Sequence, residues 1–337
     1  MLPSIKVQAE IQDEAQDLAP EYNSGPALRA FLEARGFSFR KKWGQNFLIN
    51  PSARAAIADK LELSAGDAVW EIGAGLGAMS AELLRRGGIV TAFEVDAGFC
   101  SALKTIFARE TADKTFRLIP GDALKTWEAA EAAPFLLGNL PYTIAAPLLG
   151  NFIEGGRLFR RIVVTVQKEV AWRMTARPGD KNYASISALC ASAYKSRIFM
   201  NLKGPSFYPP PRVDSASVRF EPLESRRAPP PVFYPLVRGL FAARRKTLAN
   251  NLEYFLSRSG ILKNGGKLRD AARAALESCR IAGNCRAETL EVSEIIGLAE
   301  ALGNYFDWNT DDEWKSGDEY RHSGSHRRYR RTHRKSV

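Results

Sequence analysis

Between residues 68 and 175, short apolar runs alternate with segments of helical spacing. AVWEI (68–72) leads into a glycine turn and MSAELLRRG, and IVTAFEV (89–95) into GFCSALKTIFARE. FRLI (116–119) leads into Pro120-Gly121-Asp122, PFLLGNL (134–140) into Pro141, and IVVTVQ (162–167) into KEVAWRMTA. Strands alternating with helices predict parallel βαβ units, and so an α/β, doubly wound sheet. After Lys195 the alternation stops. RIFMNL and SASVRFEP predict two strands with no long helix between them, an antiparallel edge. ESRRAPPPV (224–232) is a Pro-rich break, and the three or so amphipathic segments beyond it predict a small C-terminal helical domain. Upstream, PALRAFLEARG (26–36) and SARAAIADKLEL predict helices, the first closed by Gly36 as C-cap. The expected organisation is an extension over 1–37, a main domain over 38–222, a helical domain over 232–304 and a disordered tail over 305–337.

The charge narrows the partners. Of 337 residues, 48 are Lys or Arg and 37 are Asp or Glu, a net +11. Residues 1–40 carry six acids and four bases, 305–320 six acids and one base, and 321–337 seven bases and no acid. These stretches cancel, so the excess sits in 41–304, the part expected to fold. A basic folded surface suits a polyanion, nucleic acid or an anionic membrane surface. The longest apolar runs, such as 132–140, fall far short of the ~20 residues a membrane span needs. The opening residues hold no apolar stretch, so no membrane partner and a cytoplasmic location are expected. Cys100, Cys190, Cys279 and Cys285 show no C-x-x-C spacing, and all three histidines lie in the tail. Reduced thiols and no metal are expected.

Chemistry concentrates at the predicted strand ends. Glu71-Ile72-Gly73-Ala74-Gly75-Leu76-Gly77 lies between a strand and a helix. Glycines there let the backbone approach a ligand and leave helix N–H groups free. Glu94 ends the next strand, about 20 residues on, where an acid accepts both hydroxyls of a ribose. Asp122 ends the third strand, where a carboxylate can accept an adenine amino group. Each acid alone reads as a solvated strand-end residue. Together with the glycine turn they describe an adenosine-containing cofactor across the carboxyl ends of the strands.

Asn139-Leu140-Pro141-Tyr142 ends the fourth strand. Pro141 removes a donor and holds Leu140 extended, which can aim the Asn139 side-chain oxygen and a backbone carbonyl into one pocket. Two acceptors held together suit an exocyclic amino group. Elsewhere the same four residues would read as an Asx-type turn.

GQNFL (44–48), EIGAGLG (71–77), FEVD (93–96), GDA (121–123), NLPY (139–142), QKEV (167–170), FYPPPRVDS (207–215) and FAARRKTLANNL (241–252), in this order, resemble the adenine dimethyltransferases of small-subunit ribosomal RNA, the KsgA/Dim1 family. The resemblance covers roughly 38–302. It implies a Rossmann-like class I methyltransferase sheet, S-adenosylmethionine as cofactor, and N6,N6-dimethylation of two adjacent adenosines near the 3′ end of that RNA, in a pre-ribosomal particle during ribosome biogenesis. It implies that Asn46 and Leu48 line the methionine end of the cofactor and that Gly73, with Gly75, lies against it. Glu94 then takes the ribose, Asp122 with Ala123 the adenine, and Asn139 with the Leu140 carbonyl the target amine. Tyr142 and Phe207 would stack on the flipped base, Phe207 at a pocket rim before Pro209-Pro210-Pro211. Arg244, Arg245 and Lys246 match the family's RNA-facing helix, where three consecutive residues fan across about 200°. A monomer is expected. KNYASIS (181–187) departs from the family's pattern at Ala184 and Ser185. The alternatives are a resistance-type methyltransferase of large-subunit RNA, a non-catalytic assembly factor and, more distantly, a DNA adenine methyltransferase.

Overall fold

The computed structural model describes residues 19–36, 46–259 and 268–303, with the Tyr142 and Ser259 side chains left out. Seven strands form the main sheet: β2 (Ala68–Ile72), β3 (Ile89–Glu94), β4 (Phe116–Pro120), β5 (Phe135–Asn139), β6 (Arg161–Gln167), β7 (Tyr194–Leu202) and β9 (Ser215–Pro222). Their order is β4-β3-β2-β5-β6-β9-β7. β2 to β6 run parallel, while β9 pairs antiparallel with both β6 and β7. The doubly wound core and the antiparallel edge are as the alternation predicts. The strand order reverses at β2, between β3 and β5, and a ligand crevice opens at such a point, outside the carboxyl ends of the strands. Two further strands, β1 (Phe47–Leu48) and β8 (Phe207–Tyr208), form a separate antiparallel pair.

On one face of the sheet, Trp70 packs edge-on against Phe93 and Phe159 at 5.1 and 5.4 Å. The same buried cluster continues through Val164, Val218 and Phe220 into Phe233, Leu236, Leu252 and Leu298. The Pro-rich stretch is therefore a break in the chain and not in the core. Hydrogen bonds reinforce the junction: Gly179 N–H donates to the Glu288 carbonyl at 2.8 Å, and the Tyr183 hydroxyl to that of Leu290 at 3.2 Å.

Two expectations meet a different outcome. The Gly25–Ala34 helix, placed by the sequence in an extension, buries Leu28 and Leu32 against Leu76, Phe99 and Ala102 of the main domain. An apolar stripe needs cover, and the sheet's flank supplies it. Arg244, Arg245 and Lys246, expected on a helix, lie in a turn between the Phe233–Phe241 and Leu248–Ser259 helices. Asn251 Nδ2 donates to the carbonyls of Leu240 (2.9 Å) and Ala243 (3.1 Å). This satisfies carbonyls that a continuing helix would have used and stops the first helix there. The 305–337 tail lies outside the described residues.

Candidate active site

The turn after β2 is built on positive φ angles: +75° at Gly73, +58° at Gly75 and +86° at Gly77. Gly73 and Ala74 both donate to the Phe93 carbonyl, at 2.8 and 3.3 Å, which ties the turn to the end of β3. A Cβ on Gly73 would lie 4.0 Å from the Asn139 carbonyl, so the ends of β2 and β5 meet across bare backbone. Gly77 caps the Ala78–Arg85 helix, and a Cβ there would fall 2.3 Å from the Phe107 ring.

The next two strand ends supply the acids. Glu94 is buried, and its carboxylate accepts from the N–H groups of Gly75 and Asp96, both at 2.8 Å. Burial raises its pKa against those bonds. The Val95 N–H bonds it as well, so about three of its four lone-pair sites are used, which leaves an acceptor for a ribose hydroxyl. Asp122 accepts from Leu124 N–H at 3.0 Å, capping the Ala123–Thr126 helix. Gly121 N–H donates to the Glu94 carbonyl at 2.7 Å, which fastens the two acidic ends together. Sequence reasoning gave no role to Val95, the residue after Glu94 in the FEVD stretch, which is apolar and 41% exposed. It also gave Glu71 no role. That carboxyl is buried beneath the turn, takes a short hydrogen bond from the Ser80 hydroxyl, and is pushed up to about 8 by burial.

The Asn139 side chain donates through Nδ2 to the Asn46 carbonyl at 3.0 Å. With that nitrogen committed, Oδ1 is the end left to accept. Leu140 N–H donates to the Thr165 carbonyl of β6 at 2.9 Å, which locks the strand end just before Pro141. The structure thus brings Gly73, Gly75, Glu94, Asp122, Ala123, Asn139, Leu140 and the Asn46 backbone to one edge of the sheet.

Phe207 differs from expectation, and its pairing with Leu48 shows why. They face each other across the β1–β8 pair and are buried in one cluster, at 4% and 3% exposure. Phe207 was expected at a pocket rim. Pairing with β1 turns its ring into the core, while the exposed aliphatic residue of that loop is Val213. The Tyr142 side chain, Gly44 and Gln45 lie outside what is described.

Behind the site lies a second group that the sequence did not single out. Arg54 is 5% exposed, and its guanidinium donates to the carbonyls of Leu48 (2.7 Å) and Tyr22 (3.2 Å) and to Asn23 Oδ1. Burial lowers its pKa. The Tyr22 hydroxyl donates to the Leu76 carbonyl in the glycine turn at 2.8 Å. Away from the sheet edge, Arg244, Arg245 and Lys246 are exposed; Arg244 pairs with Glu288 at 2.5 Å, and Lys246 Nζ lies 5.8 Å from the Tyr254 ring centre. Near the departing KNYASIS stretch, the Ser187 hydroxyl accepts from Ala184 N–H at 2.9 Å and donates to the Arg173 carbonyl. Cys279 and Cys285 pack against the core, and no cluster of three metal-ligating side chains occurs among the described residues.

Comparison with known proteins bears on this edge. The family described as "Ribosomal RNA adenine dimethylase" matches residues 36–289. "Ribosomal RNA small subunit methyltransferase A" of Treponema pallidum is 42% identical over 294 residues, 84% of this chain and 98% of that protein. The protein of the same name from Geobacillus thermodenitrificans is 34% identical over 289 residues, 81% and 94% of the two chains. Among solved structures, a dimethyladenosine transferase from Plasmodium falciparum aligns with a TM-score of 0.63 at 25% identity, over 77% of this chain and 98% of its own. The 23S rRNA methyltransferase ErmE aligns at 0.53 and 20% identity over 76% and 99%, a likeness of fold.

Proposed function

Because this chain belongs to the ribosomal RNA adenine dimethylase family, we propose that the sheet-edge site binds S-adenosylmethionine and presents an adenine N6 to it. The chain is an adenine dimethyltransferase acting on small-subunit ribosomal RNA. The finer reading is dimethylation of two adjacent adenosines near the 3′ end, in a pre-ribosomal particle, by a monomer in the cytoplasm.

The residues present fit the cofactor. Glu94 keeps an acceptor for a ribose hydroxyl, the exposed Val95 offers an apolar face to an adenine, and Asp122 follows on the next strand end. Gly73 leaves open the space that any side chain would narrow, toward the methionine end. When bound, S-adenosylmethionine supplies an electrophilic methyl group, so no covalent enzyme intermediate is needed.

What the chain supplies is position and charge. An adenine N6 lone pair is delocalised into the ring. Asn139 Oδ1 and the Leu140 carbonyl would each accept one N6 hydrogen. That draws the nitrogen toward tetrahedral geometry and directs its lone pair. No side chain is assigned as general base. The target base must leave its stack, and Tyr142 is the residue proposed to stack on it. Phe207 can do so only if the face of its ring turned toward the core is exposed. Arg245 and Lys246 would meet phosphate, which orients the RNA without reading its sequence.

The observation that carries this reading is the Asn139 amide, oriented by the Asn46 carbonyl beside Gly73. The test is to incubate the protein with labelled S-adenosylmethionine and separated ribosomal subunits, then map the label. Label on adjacent adenines of small-subunit RNA is expected. Label confined to large-subunit RNA, or none on any assembly form, would overturn it.

A further inference from the structure

Five large hydrophobic side chains are conspicuously exposed among the described residues: Ile89, Val95, Trp172, Val213 and Tyr254. Val95 belongs to the cofactor cleft. Trp172 has no part in the site as described, yet it lies near the same edge. It sits on the Lys168–Thr175 helix, which starts directly after β6. Thr165 of β6 stands opposite Asn139, so the helix begins three residues past the neighbour of the proposed catalytic acceptor.

The helix runs back from that edge, and Trp172 lies one turn along it. Side chains on a helix lean toward its N-terminus. Lys168 Nζ lies 5.3 Å from the centre of the Trp172 ring, so the indole meets the ammonium of the helix's first residue. Trp172 is also 44% exposed, although an indole gains much from burial. Lys168 N–H donates to the Asp214 carbonyl at 3.0 Å, which joins the helix start to the loop that carries exposed Val213. The edge beside Asn139 thus holds an open aromatic face, an ammonium group and a second apolar residue.

We infer that Trp172, with Lys168, forms a stacking subsite for a second, unstacked nucleobase of the RNA substrate, next to the base that receives the methyl group. This rests on the proposed function. Pulling one base from a stack strips a face from its neighbour, and an exposed indole replaces that face for any base, because every base has a π-face. The ammonium at its rim suits the phosphate that joins the two nucleotides.

The test is steady-state methyl transfer to small-subunit RNA particles by full-length wild-type, Trp172→Ala and Trp172→Phe proteins, with cofactor affinity measured in parallel. Trp172→Ala should raise KM for the RNA particle about 5- to 150-fold, with kcat and cofactor Kd unchanged. Trp172→Phe should stay within about threefold of wild type, since the stacking face survives. A Trp172→Ala KM within twofold of wild type would overturn the inference while the methyl-transfer reading stands. A loss shared by kcat and cofactor Kd would make the indole a structural support and overturn it equally. If wild-type protein transfers no methyl group to any ribosomal RNA, it is the functional reading that fails.

Discussion

The side-chain amide of Asn139 donates to the backbone carbonyl of Asn46, 93 positions earlier in the chain, at 3.0 Å. In the proposed reading, this bond decides which end of the amide faces the target amine. A carboxamide free to flip would present its NH2 to the target amine half the time and repel it. Tethered by nitrogen, it presents oxygen.

Asn139→Ala should therefore lower methyl transfer by about two to three orders of magnitude, the range for removing one preorganised polar group from a transition state. RNA binding should change little. Asn139→Asp is the sharper variant: it keeps an acceptor but loses the donor to Asn46. Single-turnover transfer that is near normal in Asn139→Asp would show that the tether is dispensable.

Glu94 carries the cofactor's ribose in this reading, and Glu94→Gln removes charge while keeping size. S-adenosylmethionine binding should weaken by about 1–3 kcal/mol by calorimetry, as expected when polar partners are left unmade. Asp122→Asn should weaken it as well, through the adenine. Unchanged affinity in both variants would remove the adenosine site from this edge.

Glu71 gives the fold a pH dependence whose sign can be fixed. Its folded pKa, about 8, lies above the ordinary 4.5. Between these values the folded protein holds a proton that the unfolded chain has lost, so stability falls as pH rises through that window and levels off above it. Every pH step of one within the window removes up to about 1.4 kcal/mol, so the loss should be readily measurable. Thermal or urea denaturation from pH 5 to 9 should show it, and Glu71→Gln should flatten the profile. A wild-type profile that rises from pH 5 to 8 would contradict the assignment.

For RNA affinity, the basic turn should act through charge. Arg245→Ala with Lys246→Ala should flatten the log–log salt dependence of binding to ribosomal particles by about one to two units and leave cofactor affinity alone. Arg244 is half engaged with Glu288, so its removal should cost less. An unchanged slope in a folded double variant would place the phosphate-contacting surface elsewhere.

The strands of the parallel sheet and the acids at their ends were legible because each obeys a local rule. AVWEI, the glycine turn and Glu94 announce themselves within a few residues. What the sequence hid depends on long-range partners. RRKTLANNL has helical composition, yet Asn251 reaches back to Leu240 and Ala243 and breaks it into a turn and a helix. Phe207 before three prolines suggests a rim, but pairing with Leu48, 159 positions away in the chain, buries it. Arg54 looks like any base on a solvated helix until Tyr22 and Asn23, ahead of the Gly25–Ala34 helix, bind it. Trp172 carried no motif at all, and only the position of its helix relative to Asn139 gives it meaning.

The buried Arg54 also says where the chain can be trimmed. The family match starts at residue 36, and a protein cut to that boundary would look complete by homology. It would nevertheless hold a buried cation stripped of the Tyr22 carbonyl and the Asn23 side chain, two of its three oxygen partners. Each lost partner costs about 1–3 kcal/mol, against a total stability of about 5–15 kcal/mol for an ordinary domain. The same cut frees the Leu76 carbonyl from Tyr22, at the glycine turn itself. Expression boundaries for this protein therefore belong before Tyr22. A chain shortened past Tyr22 would disturb the glycine turn from a distance, and a loss of activity in it would imitate an active-site lesion.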